Sequence, residues 1–193
     1  MILHQIFVDI GKGRTFRDNE LYSRLYDRNS IYFDIKVWTE ADLDKLIEEY
    51  PEFIEMYNSF PSKFYKIDFM RPLILHKEGG FYMDMDNQIL SPIVIAPNTY
   101  TREAFNDIMY FRNRHIYLQL ARFMKERYYN CNMPESWITR RFMYSVGQKA
   151  YNRFCKKKGI DREIDFQFEA HHTQMWIRHF VGNKRKIKPF IRD

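Results

Sequence analysis

Asp84 and Asp86 stand one residue apart in the stretch HKEGGFYMDMDNQIL, directly behind a Gly-Gly pair and inside an otherwise apolar run. Residues i and i+2 of an extended chain leave the backbone on one face, so a turn after them can bring both carboxylates to one point. Such oxygen donors suit a hard divalent cation, Mn²⁺ or Mg²⁺, whose shell is completed by water and phosphate. The ion would neutralise charge on a departing diphosphate, which is Lewis-acid chemistry. Solvated turn residues are the plain alternative, because Asp-x-Asp recurs by chance. Context argues against it: the flanking residues are apolar, so any exposure of this pair is local and arranged.

Two further residues belong to the same argument. Asp68 and Arg71 are spaced i, i+3 in the helical stretch before the glycines, where a surface ion pair worth a few tenths of a kcal/mol is the bland reading. Pro72 removes one helical N–H and crowds the carbonyl of Asp68, which predicts a kink beside them.

These residues need a scaffold. ILHQIFV and IYFDIKVW read as strands, rich in β-formers. Between them NELYSRLYDRN has helical spacing, with Leu21 and Leu25 four apart. TEADLDKLIEEY starts a helix on Thr39, with Asp42 in the place of a capping-box acid, and Pro51 starts a short helix of its own. A longer helix opens at Pro61, with Phe64, Ile67, Met70 and Ile74 as its apolar face, and Gly79-Gly80 end it. FYMDM is then a strand of about five residues leading to a turn at Asp86-Asn87, by its β-forming composition. Strand-like pieces follow in QILSPIVIA and NDIMYFR, helices in HIYLQLARFMKERY and ESWITRRFMYSVGQKAYNRFCKKK, and closing strands in IDFQFEA and QMWIRHFV. Alternating strands and helices predict an α/β fold with a mostly parallel sheet flanked by helices. Ligands of such sheets bind beyond the carboxyl ends of the strands, where Asp84 and Asp86 fall.

Composition sets the outer limits. The chain has 193 residues, 45% hydrophobic and 29% charged, with seven Gly and seven Pro, which describes one folded domain over 1–193. Net charge is +6, and CKKKGIDR and GNKRKIKPFIRD hold many of the cations. That balance suits an anionic partner (phosphate, nucleic acid or a membrane surface) or else a solvated basic tail. Cys131 and Cys155 are too few for a disulfide framework and lack metal spacing. The start MILHQIFVDIGKG is no export signal, and no apolar run approaches the ~20 residues of a membrane span. A soluble, cytoplasmic protein is expected, in the host cytoplasm if it is viral, with peripheral membrane contact at most.

FYKIDFMRPLILHKEGGFYMDMDNQIL resembles the sugar-binding segment of glycosyltransferase family 32, the mannosyltransferase-like and capsular-polysaccharide enzymes with a DXD motif. The pattern is carried by Asp68, Arg71, Gly79, Gly80, Tyr82, Asp84 and Asp86, and the opening HQIF resembles the family's first strand. The segment is also similar to the sugar-binding core of the large clostridial glucosylating toxins. RHFVGNKRKIKPF resembles the His-x-x-Gly…Lys-Pro ending of retaining enzymes such as family 8, although Gly182 to Lys188-Pro189 is longer than usual.

The resemblance implies a GT-A fold, a Rossmann-like nucleotide-diphospho-sugar transferase, and a transferase acting with retention. It implies Asp86 on a Mn²⁺ or Mg²⁺ ion, Asp84 on the ribose or sugar and on the ion through water, and His179 completing the metal site. Asp68 and Arg71 would grip the donor sugar, Gly182 with Lys184 or Lys188 would meet the diphosphate, and Phe7 and Val8 the base. His171 and His172 are rival ligands, Trp176 either a donor-loop or a core aromatic, and Trp38 either stacks on the base or fills a gap. The implied partners are a nucleotide-sugar donor, a UDP-sugar ahead of a GDP-sugar, and a glycan or glycoprotein acceptor, with no nucleic acid. Two rivals stand beside this: another divalent-metal phosphate-processing enzyme, and a basic nucleic-acid-binding module.

Overall fold

A computed structural model of the chain describes residues 1–9, 14–89, 107–111, 113–133, 137–159 and 168–170. Strand β1 (Ile2–Ile6) pairs in parallel with β2 (Asp34–Trp38), Ile2 opposite Asp34 and Ile6 opposite Trp38. On its other side β1 pairs in parallel with β3 (Phe81–Met83), Leu3 opposite Phe81. A short strand, Asn87–Ile89 (β4), leaves this sheet and pairs antiparallel with Phe168–Ala170. Ile108–Met109 (β5) returns antiparallel to β3, giving the order β2-β1-β3-β5. The expected mixed, mostly parallel sheet is present.

Helices α1 (Glu20–Asn29), α2 (Glu40–Ile47), α3 (Pro51–Asn58) and α4 (Lys63–Glu78) fill the connections up to β3. Helices α5 (His115–Tyr129), α6 (Ile138–Ser145) and α7 (Gln148–Lys158) follow β5. Thr39 caps α2 as expected: Asp42 accepts from the Thr39 N–H at 2.8 Å, and Thr39 Oγ1 accepts from the Asp42 N–H at 3.4 Å. Strand alternation divides the core in two. Phe81 and Met83 join Leu3, Ile89 and Ile108 on one face, while Tyr82 joins Ile6, Trp38 and the helices on the other. Every residue of β3 is therefore buried, as in a sheet covered on both faces.

Several boundaries differ from expectation, each for a physical reason. The second strand begins at Asp34, because the chain leaving α1 first makes a turn in which the Tyr32 N–H donates to Asn29 O. Helix α4 starts at Lys63 and is buried nearly all round, so the face drawn through Phe64 and Ile67 is too narrow. Pro72 lies inside this helix. The helix expected from Glu135 to Lys158 is two helices broken at Gly147, where an added Cβ would stand 3.1 Å from Met143 Cα and 3.3 Å from Asp68 Oδ2. At Gly80, with φ +78°, a Cβ would lie 2.5 Å from Ile2 O, so the approach of β3 to β1 requires glycine there. The strands expected beyond Ala170, and the Gly11–Gly13 loop, lie outside the described residues.

Candidate active site

The carboxyl ends of β1, β2 and β3 lie at one end of the sheet. Phe7 follows β1 there, its N–H donating to Trp38 O at 2.9 Å. It is half-buried and meets Phe16 and Tyr22 edge-on, at 6.4 and 6.3 Å between ring centroids, while Val8 is buried in the core. Trp38 fills a gap. It is 5% exposed, and its indole N–H donates to Nδ1 of buried His4 at 3.1 Å. Burial lowers the His4 pKa to about 4.

Asp84 is the first residue beyond β3, so strand geometry delivers it to this end. The strand is three residues long rather than five, and Asp84 and Asn87 close the turn, the Asn87 N–H donating to Asp84 O at 3.2 Å. Asp86 lies within the turn and is 7% exposed. The Asp84 carboxylate accepts from Tyr82 Oη at 2.5 Å and from Arg71 Nη2 at 2.8 to 2.9 Å. Arg71 Nη2 also reaches Asp68 Oδ1 at 2.8 Å, and the side chains of Asp68 and Arg71 are each 1% exposed. The i, i+3 pair, whose bland reading is a surface ion pair, is thus a buried ion pair that extends to the Asp-x-Asp turn.

Electrostatics follow from that burial. Desolvation opposes the charge on Arg71, but Asp68 and Asp84 outweigh it and hold the guanidinium proton more tightly than usual. Burial pushes the Asp84 carboxyl well above the ordinary carboxylate range; Arg71 opposes this, and Asp86 and Asp107 add to it. Four carboxylates, Asp68, Asp84, Asp86 and Asp107, thus act on one neighbourhood whose guanidinium is Arg71. Of these, Asp84 and Asp86 at the turn are hard oxygen donors of the kind that suits Mn²⁺ or Mg²⁺. Among the described residues no trio of His, Cys, Asp or Glu side chains is arranged to hold a metal. The described part would therefore offer Asp86 and Asp84, with other ligands coming from water and phosphate.

Two residues without a reading in the sequence complete the arrangement. Asp107 ties both ends of the turn: its carbonyl accepts from the Asp84 N–H at 2.7 Å, and its Oδ2 accepts from Asn87 Nδ2 at 3.1 Å. Asn29, at the end of α1, donates through Nδ2 to Asn87 O at 2.9 Å and accepts from the Ile89 N–H at 2.8 Å. Asp107 carries one weak local signal, a carboxylate at the mouth of the apolar run IMYF, much as Asp84 adjoins FYM. Asn29 carries none, because its partners lie 58 and 60 residues away. His171, His172, Trp176, His179, Gly182, Lys184 and Lys188 lie outside the described residues.

Residues 15–107 match the family model described as a glycosyltransferase sugar-binding region containing the DXD motif. The chain is 30% identical over 124 residues to inositol phosphoceramide mannosyltransferase 3 of Schizosaccharomyces pombe, covering 60% of this chain and 34% of that protein. It is 29% identical over 130 residues to mannosyl phosphorylinositol ceramide synthase CSH1 of Saccharomyces cerevisiae, covering 61% and 35%. An initiation-specific alpha-1,6-mannosyltransferase of Saccharomyces cerevisiae is 39% identical over 56 residues, 29% of this chain and 12% of that one. The chain spans about a third of the length of the first two relatives. Among solved structures, the PaToxG glycosyltransferase superposes with a TM-score of 0.54 over 81% of this chain and 69% of that one. At 15% identity that likeness shows the fold.

Proposed function

We propose that this chain, whose residues 15–107 match the model of a glycosyltransferase sugar-binding region containing the DXD motif, transfers a sugar from a nucleotide-sugar donor to an acceptor hydroxyl with a divalent cation. One observation carries the reading: Arg71 and Tyr82 hold Asp84 at the carboxyl end of a parallel strand, beside Asp86.

Asp86 and Asp84 would hold the ion, with His179 as the third protein ligand that the resemblance implies. When bound, Mn²⁺ or Mg²⁺ supplies Lewis-acid neutralisation of charge on the leaving diphosphate. Arg71 keeps Asp84 oriented, and Tyr82 donates to the same carboxylate, so the group is fixed before a donor arrives. Asp68 and Arg71 remain the donor-sugar residues of this reading, and their ion pair sets the rotamers from which they would act. Phe7 and Val8 leave β1 at the same end of the sheet and would meet the base. Gly182 with Lys184 or Lys188 would meet the diphosphate. In transfer with retention, the bond from the anomeric carbon to the phosphate oxygen breaks and one to the acceptor oxygen forms on the same face. The acceptor proton passes to the departing phosphate oxygen.

We read 1–193 as one such domain, acting in the cytoplasm. A UDP-sugar is the donor expected from the family resemblance, and the relatives' names bring mannose forward as an alternative sugar. The same names bring forward an inositol phosphoceramide as an acceptor beside glycans and glycoproteins. Thermal-shift titration with UDP-glucose, UDP-galactose, UDP-N-acetylglucosamine and GDP-mannose, each with and without Mn²⁺, tests the donor, since a ligand of the folded state raises apparent stability. Transfer assays on Asp84→Ala and Asp86→Ala test the chemistry. Loss of turnover in folded variants is the expected result, and near-normal transfer by both would refute the proposal.

A further inference from the structure

A second charge cluster, on α6 and α7, holds none of the residues assigned to sugar transfer. From Trp137 to Gly159 the chain contains seven lysines and arginines and no aspartate or glutamate. Several meet at Tyr144. Lys149 Nζ donates to its hydroxyl at 3.1 Å, Arg153 lies over its ring at 5.3 Å, and Arg127 Nε donates to its carbonyl at 2.6 Å. The hydrogen bond and charge of Lys149, with the charge of Arg140, hold the Tyr144 hydroxyl below its ordinary range. Burial, then repulsion from Arg153, makes the Arg127 proton easier to lose. Among the described residues, no carboxylate forms an ion pair with any of these cations.

Fold stability does not account for the cluster. Lys149, Arg153, Lys156 and Lys157 make one stripe along α7, opposite the buried Ala150, Tyr151, Phe154 and Cys155. Lys156 to Lys158 suit the negative end of the helix dipole, but Lys149 sits in the first turn, where the dipole disfavours a cation. Trp137 stands at the head of α6, 50% exposed, with Arg140 over its ring at 5.1 Å. An exposed indole beside cations suits a lipid headgroup layer, which takes an amphipathic ring and a positive face together. It suits single-stranded nucleic acid less well, because bases stack on open ring faces, and cations lie over the rings of Trp137 and Tyr144.

We propose that the α6–α7 face docks the protein on an anionic phospholipid bilayer, with headgroup phosphates among Arg140, Lys149 and Arg153 and Trp137 entering the interface. The face stands independently of the proposed activity but adjoins its site, since Gly147 between the two helices packs against Asp68.

Flotation of the full chain with vesicles tests this. Binding is expected to vesicles that are roughly one-third phosphatidylserine, and not to pure phosphatidylcholine, because each cation near an anionic surface is worth on the order of fivefold in partitioning. Lys149→Gln with Arg153→Gln should then weaken binding roughly twenty-five-fold, while Arg24→Gln with Lys45→Gln, an equal loss of exposed charge elsewhere, leaves it within about twofold. Thermal unfolding confirms that each variant is folded; if the first pair is not, Lys149→Gln alone should give roughly a fivefold loss. Equal losses in the helix and control variants would overturn the proposal, as would wild-type binding by the helix variant. So would binding to RNA, weakened by the helix substitutions, without binding to vesicles.

Discussion

The cluster around Arg71 and the cluster around Tyr144 are opposite in sign, burial and pairing. Arg71 is 1% exposed and is engaged by Asp68 and Asp84. The cations of α6 and α7 stand at the surface with no carboxylate paired to them among the described residues. Water explains how both can exist in one chain. A charge taken out of water must find a partner or be neutralised, whereas exposed charges of like sign are screened and tolerated. Pairing at the first site therefore reports what the fold requires. The lack of a carboxylate partner among the described residues at the second reports what that part of the fold leaves for something else.

The largest effect should come from breaking the buried side. Arg71→Met would leave Asp68 and Asp84 buried without their cation, a loss of about 3–5 kcal/mol in denaturant unfolding. Adding Asp68→Asn and Asp84→Asn should restore part of that stability, since the uncompensated carboxylates, rather than the missing packing, carry most of the loss. Failure of the triple variant to recover would assign the effect to packing instead.

His4 escapes the same penalty by being neutral. It takes a proton near 6.5 when unfolded and near 4 when folded, because burial disfavours the cation. Between those values the unfolded chain binds the extra proton, so stability falls as the pH drops from 6.5 to 4. The contribution is about 3 kcal/mol, at 1.36 kcal/mol per pH unit. His4→Gln keeps an acceptor for the Trp38 indole and cannot titrate. Its stability profile should be flatter than that of the wild type across this window, by chemical denaturation at each pH.

The clamp on the Asp-x-Asp turn rests on single hydrogen bonds rather than on a buried ion pair, so its removal should cost less. Asn29→Ala would strip partners from Asn87 O and the Ile89 N–H, for about 1–3 kcal/mol. Asp107→Asn keeps an oxygen for Asn87 Nδ2 and should be milder than Asp107→Ala in both unfolding and sugar transfer. Equal losses for the two Asp107 variants would shift the weight from the clamp to the charge.

What the sequence made legible is what local chemistry decides. The Thr39–Asp42 cap, the glycine stop after α4 and the delivery of Asp84 to a strand end each depend on neighbours within a few residues. Burial and long-range pairing were not legible. The spacing of Asp68 and Arg71 is the same on a surface helix as on a buried one, so it gave the partner but not the environment. Asn29 and Asp107 gain their roles only when α1 and β5 meet the turn after β3. Family resemblance found Asp84 and Asp86 because their spacing is compact, and no comparable pattern marks the residues that hold them. In the same way, the lysines of FCKKKG were visible as charge, whereas Arg140, Lys149 and Arg153 became a cluster only once α6 folded against α7.

The exposed side should give the smallest change in stability. Arg153→Gln removes a repulsion felt by Arg127 and also a cation over the Tyr144 ring, and the two oppose each other. A net change of roughly 0.5 kcal/mol or less is expected, as for most surface substitutions. Salt separates the two contributions. Repulsion between exposed charges fades as the screening length falls from about 10 Å at 0.1 M to about 3 Å at 1 M salt, while a short-range ring contact changes little. The stability of the variant relative to wild type should therefore be most favourable at low salt and decline as salt rises, measured by urea unfolding at several NaCl concentrations. A difference independent of salt would mean that Arg153 acts through the ring alone, and the cluster would then exert no repulsion for an anionic surface to relieve.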